Sequence, residues 1–350
     1  MNETREPRAV SPALPVARGP VSAGLVEALS SATLPPLSLP DSCAAGAAGL
    51  DPYGDDLQLS LYVLYELHYQ GFAGVSDDWE WEPQLLALRR ELEKRFLAAL
   101  RARVPGGTDV TATLADLLDE PTGKDPSSVS HFLQTEGTRE QLREYAALRS
   151  LYHLKEADPH AWVLPRLYGR AKAAMVAVEY DEFGAGRPED VHAGLFADLM
   201  RDLGLETAYG HYLDAAPAPV LATVNLMSLL GLHRSLRGAL VGHFATVEIT
   251  SPPGSRRLSR AMRRLGAGPA AQRFYDEHVE ADAVHEQVVR RDVVGGLLAQ
   301  EPQLAPDIVF GVEATDLLEG RLAAHVLDAW RGGRTALRDR NPASATEPQK

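Results

Sequence analysis

The sequence predicts an all-α protein, and three observations support that expectation. Apolar residues recur with a helical period through most of the chain between its two ends. Few segments alternate strictly between apolar and polar residues, and the β-branched residues are scattered rather than gathered in runs. Clusters of proline and glycine separate the periodic segments. We therefore expect a set of helices joined by short breaks.

Composition divides the 350 residues into four parts. Residues 1–49 are rich in Ala, Pro, Ser and Gly without a sustained period, which predicts a disordered N-terminal segment. Residues 331–350 have the same character and predict a disordered tail. Residues 50–130 are expected to form an accessory helical unit, and residues 131–330 the domain that carries the chemistry.

The positions of the helices follow from the apolar period and its interruptions. Ser130 is expected to cap one helix, and Asp158 with Pro159 to begin another. Gly184, Gly186 and Pro188 should interrupt the chain before it becomes helical again. The predicted helices cover about residues 57–72, 83–104, 108–118, 130–137, 139–157, 158–183, 189–199, 218–248, 255–265, 269–293 and 306–330.

Charge and cysteine content exclude several classes of function. The formal net charge of -13 would repel phosphates and anionic lipids, so we expect neither nucleic-acid nor membrane-surface binding. Cys43 is the single cysteine, which rules out an intrachain disulfide and a thiolate zinc site and suggests a reducing, cytoplasmic compartment. No apolar run is long enough to span a membrane, and the N-terminus does not resemble a secretion signal.

The sharpest local pattern is H-x-x-x-D-x-x-H, formed by His278, Asp282 and His285. Positions i, i+4 and i+7 share one helical face, so two imidazoles and a carboxylate would point the same way. This mixture suits iron, manganese or zinc, whereas calcium prefers oxygen ligands alone. A solvated polar face would give a similar pattern, but about 0.05 chance occurrences are expected in this composition.

Three further acidic residues and one histidine are candidate ligands. Glu189 and His192 form an E-x-x-H pair, which helical di-iron proteins use as ligands, although about 1.5 such pairs are expected by chance. Glu156 stands near the end of its predicted helix, where a carboxylate opposes the helix dipole unless a cation compensates. Glu182 directly precedes the Gly/Pro interruption, a local irregularity of the kind found at functional sites.

Taken together, these residues resemble the haem-oxygenase-like di-iron oxidases, the iron-containing redox enzymes. The shared order is a first glutamate (Glu156), then E-x-x-H (Glu189 and His192), then H-x-x-x-D-x-x-H at positions 278, 282 and 285. The resemblance covers about residues 136–300. Members that resemble the N-oxygenases have one more glutamate seven residues before the E-x-x-H glutamate, and Glu182 stands there.

The resemblance implies a haem-oxygenase-like helical bundle with two iron ions, O2 as cosubstrate and an external electron donor. It implies that Glu182 and Glu189 are catalytic metal ligands. It also implies that Glu156, Glu182 and His192 share one iron, completed by His285, while Glu189, His278 and Asp282 serve the other or bridge the two. The substrate would be a small amine, either an amino acid or an amine of secondary metabolism, oxidised to a hydroxylamine, nitroso or nitro product. The helix around YVLYELHYQGF resembles a dimerising accessory unit, so a homodimer is expected.

Two alternatives stay open at this point. The same ligands in other family members support desaturation or carbon–carbon cleavage of fatty acids and amino acids. A metal-free helical protein that binds a ligand is the second alternative. Of the remaining histidines, His153 could line a pocket, whereas His211, His233 and His243 have no carboxylate at a useful spacing.

Overall fold

A computed structural model of the chain describes residues 11–31, 49–119 and 125–338. This described part contains α-helices, short 3-10 helices and a π-helical segment, and it has no β-strand. The all-α prediction is confirmed. The α-helices, numbered in chain order, are α1 (Pro20–Leu29), α2 (Asp55–Glu66), α3 (Pro83–Arg101), α4 (Val110–Asp116), α5 (Val129–Thr135), α6 (Arg139–His153), α7 (Asp158–Ala161), α8 (Gly169–Glu182), α9 (His192–Asp202), α10 (Ala218–Leu232), α11 (Arg237–Arg264), α12 (Pro269–Val288), α13 (Gly295–Gln300) and α14 (Ala305–Arg331).

Side-chain caps decide where several helices begin. Thr138 Oγ1 accepts a hydrogen bond from the Gln141 N–H, and the Gln141 side chain accepts one from the Thr138 N–H; this reciprocal pair begins α6. Ser128 caps α5 by accepting from the His131 N–H at 3.2 Å. The prediction that Ser130 caps this helix is wrong, because Ser130 lies inside the first turn.

Residues 11–31 are more ordered than the composition of the N-terminal segment predicts. α1 lies within residues 1–49, which were expected to be disordered. The Asp56 carboxylate of α2 accepts hydrogen bonds from the N–H groups of Val21 (3.0 Å) and Ser22 (2.7 Å), and Val21 is fully buried. A carboxylate from a neighbouring helix therefore satisfies the first amides of α1 and attaches it to the core.

The beginning of the predicted C-terminal tail is also packed. The Ala336 N–H donates to Glu144 at 2.9 Å, and the Arg338 N–H donates to the Ala215 carbonyl at 2.7 Å. Ala336 is buried. The remaining residues of the two expected disordered ends lie outside the described residues, namely 1–10, 32–48 and 339–350.

α11 is the central helix of the bundle and continues through two prolines. The sequence predicts a break between residues 248 and 255, but the helix is uninterrupted with Pro252 and Pro253 inside it. Each proline lacks the N–H that would donate to the carbonyl four residues earlier. Residues 252 and 253 therefore cannot donate the regular helical hydrogen bonds to the carbonyls of Glu248 and Ile249.

Two glycines bring α11 and α14 unusually close together. A Cβ added at Gly242 would collide with the Ile308 carbonyl, and one at Gly311 would collide with the Ala239 carbonyl. α11 also packs along α12, and a single hydrophobic core extends through the described residues. The division near residue 130 and the homodimer stay predictions. None of the described helices combines the length and apolar character needed to cross a bilayer.

Candidate metal centre

Glu156, His192 and His278 form the first group of converging donor atoms. One ligand atom from each residue lies within 4.8 Å of the others, and all three residues are buried. Glu156 Oε2 is 3.8 Å from His278 Nε2, and the imidazole rings of His192 and His278 have centroids 4.5 Å apart. The turn after α6, the start of α9 and the middle of α12 supply these residues.

Glu182, Glu248 and His285 form the second group. Their ligand atoms also lie within 4.8 Å of one another, and all three are buried. His285 Nδ1 lies 3.3 Å from Glu248 Oε2 and 3.5 Å from Glu182 Oε1. This second group combines the end of α8, the middle of α11 and the last turn of α12.

A contact between Glu182 and His192 joins the two groups. Glu182 Oε2 lies 2.7 Å from His192 Nδ1, while Glu182 Oε1 faces His285 of the second group. One carboxylate thus has an oxygen directed to each group. This is the arrangement expected of a carboxylate that bridges two neighbouring metal ions.

Hydrogen bonds outside the two groups orient the imidazole rings. His278 Nδ1 donates to the Phe274 carbonyl at 2.7 Å, which leaves the Nε2 lone pair directed at Glu156. His285 Nε2 lies 3.3 Å from Asp181 Oδ2, which leaves Nδ1 directed at Glu182 and Glu248. Metal-binding histidines are commonly held in this way, with the second ring nitrogen donating to a carbonyl or carboxylate.

The pKa values of the ligands reflect burial and opposite charge. Burial by itself would lower the pKa of His285, but the carboxylates of Glu248 and Glu182 outweigh it and raise the pKa to about 9. Burial would raise the pKa of Glu156, but His153 and His278 hold it well below its ordinary value. His153 Nδ1 contacts Glu156 Oε1 at 2.9 Å. Without a metal ion, these contacts favour an ionised Glu156 and a protonated His285.

Glu179 lies one turn before Glu182 on α8 and has a different environment. Its side chain is 2% exposed, and neither carboxylate oxygen has a hydrogen-bond partner among the described residues. Burial, followed by the charges of Glu182 and Glu248, raises its pKa to about 9. At neutral pH Glu179 is accordingly a neutral carboxylic acid.

A cavity of about 380 Å³ borders both groups of donors. Glu156, Glu182, Glu248 and His278 lie on its wall, and the cavity continues along α11 towards Arg149. Arg149 is held there by an ion pair with Glu319 at 2.8 Å. The cavity is of the size that small-molecule sites commonly have, and it would give a substrate direct access to the candidate metal ligands.

The structure brings together five of the seven residues predicted as ligands, namely Glu156, Glu182, His192, His278 and His285. It does not bring Glu189 to them. Glu189 is exposed in the 3-10 turn Pro188–Asp190, and α9 begins only at His192, so the i, i+3 spacing does not correspond to one continuous helix. The side chain of Asp282 lies outside the described part of the structure.

The grouping of the ligands also differs from the one that the resemblance implies. His278 joins Glu156 and His192, whereas His285 joins Glu182. Spacing along one helix predicts that His278 and His285 share a face. The spacing does not predict which residues the neighbouring helices contribute to each group. The seven-residue separation places the two imidazoles about two helical turns apart, beside different helices.

Glu248 is the residue that sequence reasoning missed. It has no partner at a local spacing, because its two neighbours in the group come from α8 and α12. A signal was nevertheless present: Glu248 is the single acidic residue in the apolar stretch GALVGHFATVEIT, and Pro252 follows one turn later. A carboxylate inside an apolar helix is costly unless a cation or hydrogen bonds compensate.

The donor set fits a pair of divalent transition-metal ions. Imidazole nitrogens and carboxylate oxygens are the ligands of non-haem iron, manganese and zinc in proteins. Glu156 Oε2 is buried and accepts no hydrogen bond from the described residues, which a bound cation would compensate. The residues present are therefore compatible with a two-metal centre.

A comparison with protein families identifies the metal. A family model described as iron-containing redox enzyme matches residues 143–320, about half of the chain. The chain belongs to the iron-containing redox enzymes. The match spans every residue of the two donor groups, and the all-α bundle agrees with the haem-oxygenase-like fold expected for this family. A search of curated proteins finds no match to this iron-containing redox enzyme.

Proposed function

We propose that this iron-containing redox enzyme is a non-haem di-iron oxygenase that uses O2 to oxidise the nitrogen of a small amine. The observation that carries the proposal is the contact of Glu182 with both donor groups, at 2.7 Å to His192 and 3.5 Å to His285. Two three-donor groups that share a carboxylate are suited to two neighbouring iron ions.

The protein residues have distinct tasks in this proposal. Glu156, His192 and His278 would hold one iron, and Glu182, Glu248 and His285 the other, with Glu182 between them. The three carboxylates would offset three of the four positive charges of two Fe(II) ions, which lowers the cost of burying them. Asp282 and Glu189 stay proposed ligands on the strength of the sequence pattern.

Iron bound there would supply electrons and open coordination positions for O2. Conversion of an amine N–H to N–OH consumes one O2, two electrons and two protons and releases one water. An external reductant must therefore restore the ferrous state. The product would be a hydroxylamine, or a nitroso or nitro compound after repeated oxidation.

The amine must present its nitrogen lone pair, and an ammonium ion has none. The cavity wall contributes to this requirement, because burial in a site of low polarity disfavours the charged form of an amine and lowers its pKa. A metal-rich site adds positive charge that acts in the same direction. A role in secondary metabolism, a cytoplasmic location and a homodimer belong to the same proposal.

The experiment is anaerobic loading of the purified protein with Fe(II), followed by iron quantification and stopped-flow mixing with O2. We expect two irons per chain and an O2-dependent absorbance change whose decay accelerates with primary amines. Acceleration by fatty acids instead would favour the desaturating or carbon–carbon cleaving reaction. Absence of bound iron would contradict the proposal and favour a metal-free ligand-binding protein.

A matched pair of variants controls this experiment. Glu182→Gln keeps the shape of the side chain but removes the charge that the two groups share, so iron content should fall. Glu93→Gln changes another buried glutamate, which pairs with Arg89 and His233 away from the cavity, and should bind iron normally. Equal iron content in both variants would show that Glu182 is no ligand.

A further inference from the structure

Two buried histidines lie on the cavity wall outside both donor groups. His160 of α7 is 2% exposed and His243 of α11 is 1% exposed, and their rings have centroids 5.2 Å apart. The same cavity is lined by Glu156 and Glu248. A substrate that fills this cavity therefore lies near these two imidazoles as well as the candidate metal ligands.

The hydrogen bonding of His243 fixes its tautomer. The Thr315 hydroxyl donates to the Gly311 carbonyl at 2.7 Å, so its oxygen is left to accept. His243 Nδ1 lies 2.8 Å from that oxygen and must therefore be the nitrogen that carries the proton. Nε2 of His243 consequently presents a lone pair.

Both imidazoles are neutral at physiological pH. Burial lowers the pKa of His243 to about 4. Burial also lowers the pKa of His160 well below its ordinary value, and the neighbouring His243 acts in the same direction. His243 can therefore accept a hydrogen bond without taking up the proton.

The Nε2 atoms of the two rings have no hydrogen-bond partner in the described part of the chain. Buried polar atoms in native proteins are almost always paired, and an unpaired one costs free energy comparable to a lost hydrogen bond. Two neighbouring histidines on one cavity wall, each with such an atom, indicate a ligand with polar hydrogens.

We propose that His243, with His160 beside it, is the subsite that accepts a hydrogen bond from the amino group of the substrate. This inference rests on the proposed function. It restricts the substrates to amines whose N–H can donate a hydrogen bond to His243. A carboxylate is disfavoured here, because at neutral pH it has no hydrogen to donate and would face the Nε2 lone pair and the carboxylates of Glu156 and Glu248.

The test is nitrogen NMR of isotope-labelled histidine in the full-length protein, loaded with diamagnetic Zn(II) in place of iron. n-Butylamine is the probe, methylamine is a smaller probe, and butyrate is the carboxylate of matching length. We expect both amines to move the His243 Nε2 signal and butyrate to leave it in place. An unmoved signal with both amines, or an equal response to butyrate, would overturn the inference.

Variants separate the hydrogen bond from the packing of the ring. His243→Phe should weaken n-butylamine binding about tenfold, the size expected for one lost hydrogen bond. His243→Gln retains an acceptor at a similar reach and should recover part of the affinity. His325→Phe changes a histidine that is bonded to the Ala336 carbonyl outside this cavity and should bind the probe normally.

Thr315→Val provides a second route if the His243 variants fold poorly. It removes the acceptor that fixes the tautomer, so the histidine spectrum should show both tautomers and amine affinity should fall. Unchanged affinity would overturn the inference. Failure here is distinguishable from failure of the proposed function: iron content and O2 consumption test the metal centre, whereas amine binding to the Zn(II) form tests His243.

Discussion

Pro252 stands one helical turn after Glu248 and has no N–H to donate to the Glu248 carbonyl. This irregularity in α11 therefore lies at Glu248, whose carboxylate is 3.3 Å from His285 Nδ1. We expect Pro252→Ala to restore the regular helical hydrogen bond and so to change the direction of the Glu248 carboxylate. Iron binding should then weaken about tenfold, the size of effect found when residues that orient metal ligands are changed.

Pro253→Ala is the matched control for this prediction, because it restores the N–H that donates to the carbonyl of Ile249, a residue outside both donor groups. Iron titrations of the two variants under anaerobic conditions give the comparison. Equal iron affinities would mean that the proline pair has no role in aiming Glu248.

Glu248 itself is expected to be required for one of the two irons. Glu248→Gln removes one of the three donors in the second group and should reduce the iron content from two ions to one, while the group around Glu156 keeps its donors. Iron quantification and Mössbauer spectroscopy measure the number and equivalence of the ions. A variant with two equivalent irons would exclude Glu248 from the centre.

The sequence pattern and the structure place Glu189 differently. One additional turn at the start of α9 would bring Glu189 onto the face of His192, three residues away. We expect Glu189→Gln to lower iron content, because the three donors of each group do not complete a six-coordinate iron site. Glu277→Gln, an exposed position on α12, is the control. If both variants keep their full iron content, Glu189 is exposed in the active enzyme and is not a metal ligand.

Glu179 should make the stability of the metal-free protein depend on pH. Its pKa is about 9 in the folded chain and 4.5 ordinarily, so between these values the folded state holds a proton that the unfolded state has released. Stability contributed by this group therefore falls as pH rises through that window, by up to about 1.4 kcal/mol per pH unit.

Glu179→Gln removes that titration. We expect the variant to be as stable as the parent near pH 5 and more stable at pH 8, as measured by urea unfolding at each pH. Glu277→Gln should follow the parent curve. Parallel curves for Glu179→Gln and the parent would mean that Glu179 is already ionised at neutral pH in the folded chain.

The close contact of α11 with α14 should not tolerate a methyl group. Gly242→Ala would collide with the Ile308 backbone and cost about 1 to 3 kcal/mol of unfolding free energy. The carbon added by Gly194→Ala in α9 meets no atom within 4 Å beyond the local helix backbone, and this variant should be more stable by about 0.5 to 1 kcal/mol. Denaturant unfolding of both variants checks the prediction, and an unaffected Gly242→Ala would show that the helices can separate at no cost.

Local features explain why the helices could be predicted. Apolar period, prolines and capping residues act over a few positions, so the helices at 83–101 and 139–153 begin where the sequence places them. The same locality explains the errors. Pro252 and Pro253 predict a break, but packing of α11 against α12 and α14 keeps the helix continuous, and Asp56 from another helix orders α1.

The sequence by itself determined the all-α class, the family and the candidate ligands that belong to recognisable spacings, such as His278 and His285. Only the tertiary structure decided that Glu248 joins them, that Glu182 contacts both donor groups and that His243 faces the cavity. The physical reason is that helical period and capping depend on neighbours in the chain. A metal centre depends on where separate helices cross. The close contact of Gly242 with α14 helps to determine where α11 and α14 cross.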